Sequence, residues 1–129
     1  MEMSANSAAN VSVELPRTPQ AAFLARRALD DLEGTLDPAV LPDVRLLVSE
    51  LITNSVKYGG EGPVRLEVQA SGRSVRAEII DQGVGFEPKV RDGDLDRVGG
   101  WGLHLTERLT SRWGTYEGST HVWFEIDLR

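Results

Sequence analysis

The chain contains no cysteine, which excludes disulfide frameworks, thiolate zinc sites and cysteine nucleophiles together. Histidine is scarce as well: His104 and His121 stand apart and alone, so each reads as a surface or strand residue rather than as part of a metal cluster. No apolar run approaches the roughly 20 residues that a membrane-spanning helix needs. Residues 1–10 are polar and rich in Ala, Ser and Asn; without a basic n-region or an apolar h-region they are not a signal peptide. They read as a flexible tail on a soluble, cytoplasmic protein. An excess of basic charge is missing too. The formal net charge is −6, which argues against the phosphate-neutralising patches of a nucleic-acid binder and leaves a basic protein partner plausible on grounds of charge complementarity.

What is present suits one domain. A chain of 129 residues can bury an ordinary core without metal or disulfide support. Val11 to Leu15 alternates as a short strand does. Thr18 followed by Pro19 reads as a helix opening, with the helix running to about Leu32 and Ala22, Ala25, Leu29 and Leu32 as its inner face. Asp37-Pro38 opens a second helical region that Pro42 restarts. From there to Tyr58, Val44, Leu47, Val48, Leu51, Ile52 and Ser55 recur at three- and four-residue steps as one buried stripe, and Gly59-Gly60 ends the helix. Val64 to Ala70 and Val75 to Asp81 alternate on either side of Ser71-Gly72, the pattern of a hairpin. Residues 87–99 hold Pro88, Gly93, Gly99 and many charges, and read as a mobile loop. A third helix is expected from about Gly100 to Arg112, then strands near Gly114 to Glu117 and from His121 to Leu128. The fold expected is a two-layer α/β sandwich, with a mixed, mostly antiparallel sheet and its helices on one face.

Three short stretches carry the chemistry. In the first, Glu50, Asn54 and Lys57 fall on one face of the second helix, since residues three and four apart are helical neighbours. Asn54 offers an uncharged oxygen to a hard cation, and Glu50, one turn earlier, offers a carboxylate able to act as a base on a hydroxyl. The same spacing also serves a plain solvated face. In the second, Asp81 ends an apolar strand directly before Gln82-Gly83-Val84-Gly85. A carboxylate there can accept from an exocyclic amine while Gly83 and Gly85 let backbone approach a ring; Asp and Gly are equally common at strand-end turns. In the third, Gly99-Gly100-Trp101-Gly102 opens a helix with unobstructed backbone N–H groups, which suit phosphate as well as a simple helix start. It lacks the Gly-Lys-Ser/Thr of a P-loop and does not follow a strand as a dinucleotide fingerprint would.

In their order and spacing these stretches resemble the N, G1 and G2 boxes of the GHKL, or Bergerat-fold, ATPase superfamily, over roughly residues 11–129. Glu50-Leu51, Asn54, Lys57-Tyr58, the short loop before Gly100, Leu103 to Leu109, Arg112-Trp113-Gly114 and Val122 to Glu125 are most similar to the small serine-protein kinases that act as anti-sigma factors. The resemblance implies ATP and Mg2+ as cofactors, with Asn54 as metal ligand and Glu50 as general base. It implies Asp81 as the reader of the adenine amine beside Gly83 and Gly85, and Thr120 near the base. Gly100, Gly102 and Leu103 fall at the phosphate-facing helix start, residues 87–99 form a lid, and Lys57 lies near phosphate or lid. Ser55 stands where the family usually has alanine.

The activity implied is transfer of the γ-phosphate of ATP to a serine or threonine of a STAS-type anti-anti-sigma protein, together with sequestration of a sigma factor. The family also implies a homodimer through the sheet region, with neither direct nucleic-acid contact nor a membrane. A non-catalytic, ATP-dependent partner-switching module is the alternative; Glu50 beside Asn54 favours the enzyme, because a binder needs no base.

Overall fold

The computed structural model describes residues 8–81, 106–115 and 121–128. Within them lie five strands, two whole α-helices and part of a third at 106–109: β1 (Ala9–Leu15), α1 (Ala21–Ala28), α2 (Leu41–Tyr58), β2 (Val64–Ala70), β3 (Ser74–Asp81), β4 (Arg112–Thr115) and β5 (Val122–Asp127). The strands form one sheet in the order β1-β2-β3-β5-β4. Every described pair is antiparallel, as expected of a sheet with one face on the core and one in water. Helix α1 packs on α2 and β1, and α2 packs on β2 and β3. This is the two-layer α/β architecture of the Bergerat fold.

The periodicities explain the core. The α2 stripe Val44, Leu47, Val48, Leu51, Ile52 and Ser55 is fully buried or nearly so. It meets Val64, Leu66 and Val68 of β2, Val75, Ala77 and Ile79 of β3, and Phe124 of β5 in one cluster. The hairpin turn is held by Ser71, whose N–H donates to Ser74 O at 2.9 Å and whose hydroxyl accepts from the N–H groups of Arg73 and Ser74. Strand β1 starts at Ala9 rather than Val11, because Ala9 and Asn10 extend the register opposite Ala70 and Gln69.

Two expected helices have different limits. The first begins at Ala21, and Ala21 takes the inner place expected of Ala22. Thr18 does not cap it: the Thr18 hydroxyl accepts from Gln20 N–H at 3.3 Å and its carbonyl accepts from Ala21 N–H at 3.0 Å, so residues 18–20 form a turn ahead of the helix. The last turn, Leu29–Leu32, tightens to a 3-10 helix that keeps Leu29 and Leu32 buried. The third helix ends sooner than expected. Its described part covers 106–109, and Arg112 already belongs to β4. Thr110 bonds back to Thr106 O through its hydroxyl at 2.6 Å, and Ser111 N–H donates to Glu125 O at 2.8 Å. Strand pairing therefore claims the chain where helical spacing would have continued, and β4, described over Arg112–Thr115, begins two residues before the expected Gly114; Tyr116 and Glu117 lie outside the described residues.

Candidate nucleotide site

The described part of the site is built from the polar rim of α2 and the end of β3. Because the buried stripe of α2 fixes its rotation, Glu50 and Asn54 are left half-buried and Lys57 exposed on the remaining surface. The carboxamide oxygen of Asn54 is shielded from solvent. Gly83, Gly85, the 87–99 loop, Gly100, Gly102, Leu103 and Thr120 lie outside the described residues.

Asp81 is different in kind from the α2 residues. It occupies an inward position at the end of β3, opposite Val64, and its side chain is 1% exposed. A buried carboxylate needs a compensating partner, and Arg17 supplies it: Arg17 Nη2 donates to Asp81 Oδ1 at 2.6 Å. The same guanidinium donates through Nε to Gly62 O at 2.9 Å and through Nη1 to Ser55 O. One planar fork, rigid and always charged, thus joins the last turn of α2, the loop after it and the end of β3. A carboxylate has about four acceptor positions, so an ion pair at Oδ1 does not exhaust its capacity to take an amine.

Gly59 completes the arrangement by what it lacks. A Cβ there would stand 1.7 Å from Asp81 Oδ2, 2.6 Å from Ser55 O and 2.8 Å from Arg17 Nη1. Its φ of −80° is open to any residue, so space and not backbone freedom demands glycine. Sequence reasoning assigned Gly59 only to ending α2 and missed Arg17 entirely. Nothing around Leu15-Pro16-Arg17 signals the pairing, whose partners are 64 positions apart.

Asn54 offers one uncharged oxygen, of the kind a hard cation takes. Among the described residues no group of three or more His, Cys, Asp or Glu could hold a metal. Mg2+ commonly takes only one or two protein oxygens and completes its shell with water and substrate phosphates. No described helix is long and apolar enough to cross a membrane.

An antiparallel sheet with its helices on one face, and a buried strand-end aspartate beside a helix bearing Glu50 and Asn54, fit the class of Bergerat ATPases. The chain belongs to the histidine kinase-like ATPase domain family, whose model matches residues 15–126. The serine-protein kinase RsbW of Listeria innocua is 28% identical over 116 residues, covering 77% of this chain and 74% of that protein. The anti-sigma F factor of Clostridium botulinum is 34% identical over 103 residues, covering 69% of this chain and 72% of that protein. The chain is thus a distant homologue of anti-sigma-factor serine kinases.

Proposed function

We propose that this chain is an ATP-dependent protein serine/threonine kinase and anti-sigma factor, acting on a small STAS-type antagonist and sequestering a sigma factor. The observation that carries the reading is Glu50 placed one turn before Asn54 on the half-buried rim of α2, in a domain homologous to a serine-protein kinase and an anti-sigma F factor. Residues 11–129 act as one ATP-binding domain behind a tail at 1–10. The protein works in the cytoplasm as a homodimer and touches neither nucleic acid nor membrane.

In this reading Asp81 accepts a hydrogen bond from the adenine amine, with Gly83, Gly85 and Thr120 beside the base. Gly100, Gly102 and Leu103 face the phosphates and Lys57 lies near them. Asn54 contributes the protein oxygen to Mg2+, which when bound neutralises phosphate charge. Glu50 accepts the proton as the antagonist hydroxyl attacks the γ-phosphorus. The new O–P bond forms as the bond from phosphorus to the β–γ bridging oxygen breaks, and ADP leaves with that electron pair. A carboxylate so placed contributes about a hundred- to ten-thousandfold to the rate.

The test is transfer of label from γ-labelled ATP, with magnesium, to the antagonist encoded near this protein. Label on a serine or threonine of the antagonist is expected. ATP binding without transfer to any such antagonist would leave a domain that regulates by occupancy.

A further inference from the structure

We infer that Arg17 is a positioning and specificity-determining residue of the nucleotide site: it fixes the Asp81 carboxylate against the adenine amine and sets its place relative to the α2 turn that follows Asn54. The inference rests on Asp81 being the adenine reader. Three contacts of one side chain carry it. Nη2 holds Asp81 Oδ1 at 2.6 Å, Nη1 donates to Ser55 O next to Asn54 in the chain, and Nε donates to Gly62 O at 2.9 Å. Each goes to a different segment, and the Arg17 side chain is itself only 15% exposed.

The arrangement is narrower than a surface ion pair. Ser55 O also accepts the Gly59 N–H at 2.8 Å, so the guanidinium docks on a carbonyl already set by the helix end, where a cation is favoured. A Cβ at Gly59 would stand 1.7 Å from Asp81 Oδ2, so a glycine here leaves that oxygen its place. With Oδ1 held by the charged fork of Arg17 and the side chain buried, the direction of the carboxylate's acceptor positions is set before any base arrives. Pre-set acceptors discriminate strongly against a ligand that lacks the matching donor, because the desolvated polar group is then left unmatched. Removing Arg17 takes away both the orientation and the compensating charge. Lysine does not replace it, since a single ammonium cannot reproduce the planar three-nitrogen fork.

The experiment compares the affinity of ATP with that of purine riboside triphosphate, which lacks the 6-amine, by calorimetry on the full chain. Wild type, Arg17→Met, Arg17→Lys and Asp81→Asn are used, with folding checked by circular dichroism. Wild type is expected to prefer ATP by about tenfold or more, the scale of one hydrogen bond to a charged group. In both Arg17 variants that preference should shrink to within about threefold, as in Asp81→Asn, chiefly through weaker ATP binding.

Equal loss of both nucleotides with the preference intact would make Arg17 a purely structural strut and overturn the inference. Tighter ATP binding in Arg17→Met would show that the guanidinium competes with the base, and would overturn it too. If Arg17→Met does not fold, the milder Arg17→Lys decides: an undiminished preference there rejects the role. A wild-type protein that binds ATP without preferring it, or an Asp81→Asn variant that retains the preference, would remove the Asp81 assignment and this inference with it. A wild-type preference that depends on Asp81 but not on Arg17 would remove only the inference.

Discussion

Asp81 and Gly59 are constrained by each other as much as by any ligand. With Asp81 Oδ2 where a Gly59 Cβ would stand, even alanine forces a shift in a helix-end carbonyl, a buried carboxylate or a three-contact arginine. Overpacking of this kind costs about 1–3 kcal/mol, so Gly59→Ala should lower the thermal midpoint by several degrees and weaken ATP binding. A variant as stable as the parent would mean that the approach is not as close as described. Asp81→Asn tests the other side. The amide keeps an acceptor for Arg17 but loses the charge, so stability should fall by up to about 3 kcal/mol. ATP affinity should drop about ten- to a hundredfold. Calorimetry finding undiminished affinity in the folded variant would remove Asp81 from the base-reading role. Of these residues, Asp81 was legible in the sequence, as a carboxylate ending an apolar strand. Arg17 was not, because its partners lie 38, 45 and 64 positions away and only the packing of α2 against the sheet brings them together.

Elements whose burial has a clean period were readable; those whose ends are set by distant partners were not. The α2 stripe and the β2–β3 hairpin matched their patterns because one face of each is fully covered. The end of the third helix failed for the opposite reason: Thr106 to Ser111 satisfies helical spacing, yet Ser111 and Arg112 are taken up by β5. Arg112 donates to Glu125 at 2.8 Å and to Asp127 at 2.6 Å, and Arg76 of β3 reaches Glu125 at 3.1 Å. The same outer face sets Glu67 directly opposite Glu78, a repulsive cross-strand pair. Arg65 at 3.0 Å offsets Glu67 and Arg76 at 3.8 Å offsets Glu78, which also shares a hydrogen bond with His121 Nε2 at 2.5 Å.

Within that network the hydrogen bond from Arg112, aided by Arg76 and opposed by desolvation, lowers the Glu125 carboxyl below its ordinary value of 4.5. A carboxyl with a depressed folded pKa contributes stability that is complete above its unfolded pKa and is lost as pH falls through the folded one. Glu125→Gln should therefore be less stable than the parent at neutral pH, with the gap closing as pH drops below about 4.5. Thermal melts at neutral pH and across the acid range check this; a gap that stays constant with pH would mean that the carboxylate charge contributes nothing at this strand pair.

At the scale of the whole molecule, the domain divides its labour between a strand end and a helix rim. β3 delivers Asp81 into a buried, pre-set position, whereas α2 leaves Glu50 and Asn54 half-buried at its edge. That division predicts separable losses. Glu50→Gln keeps size and hydrogen-bonding capacity but cannot take a proton at neutral pH, so ATP affinity should persist while phosphotransfer to the antagonist falls about a hundred- to ten-thousandfold. Asn54→Ala removes the oxygen proposed for the metal, so magnesium-dependent binding and transfer should fall together. Both variants keep the buried stripe of α2 intact, and their melting points should stay close to that of the parent. Rapid-quench transfer assays beside calorimetry measure the two losses independently. A folded Glu50→Gln protein that phosphorylates its antagonist at the parental rate would remove Glu50 as the base and leave the helix rim with a binding role alone.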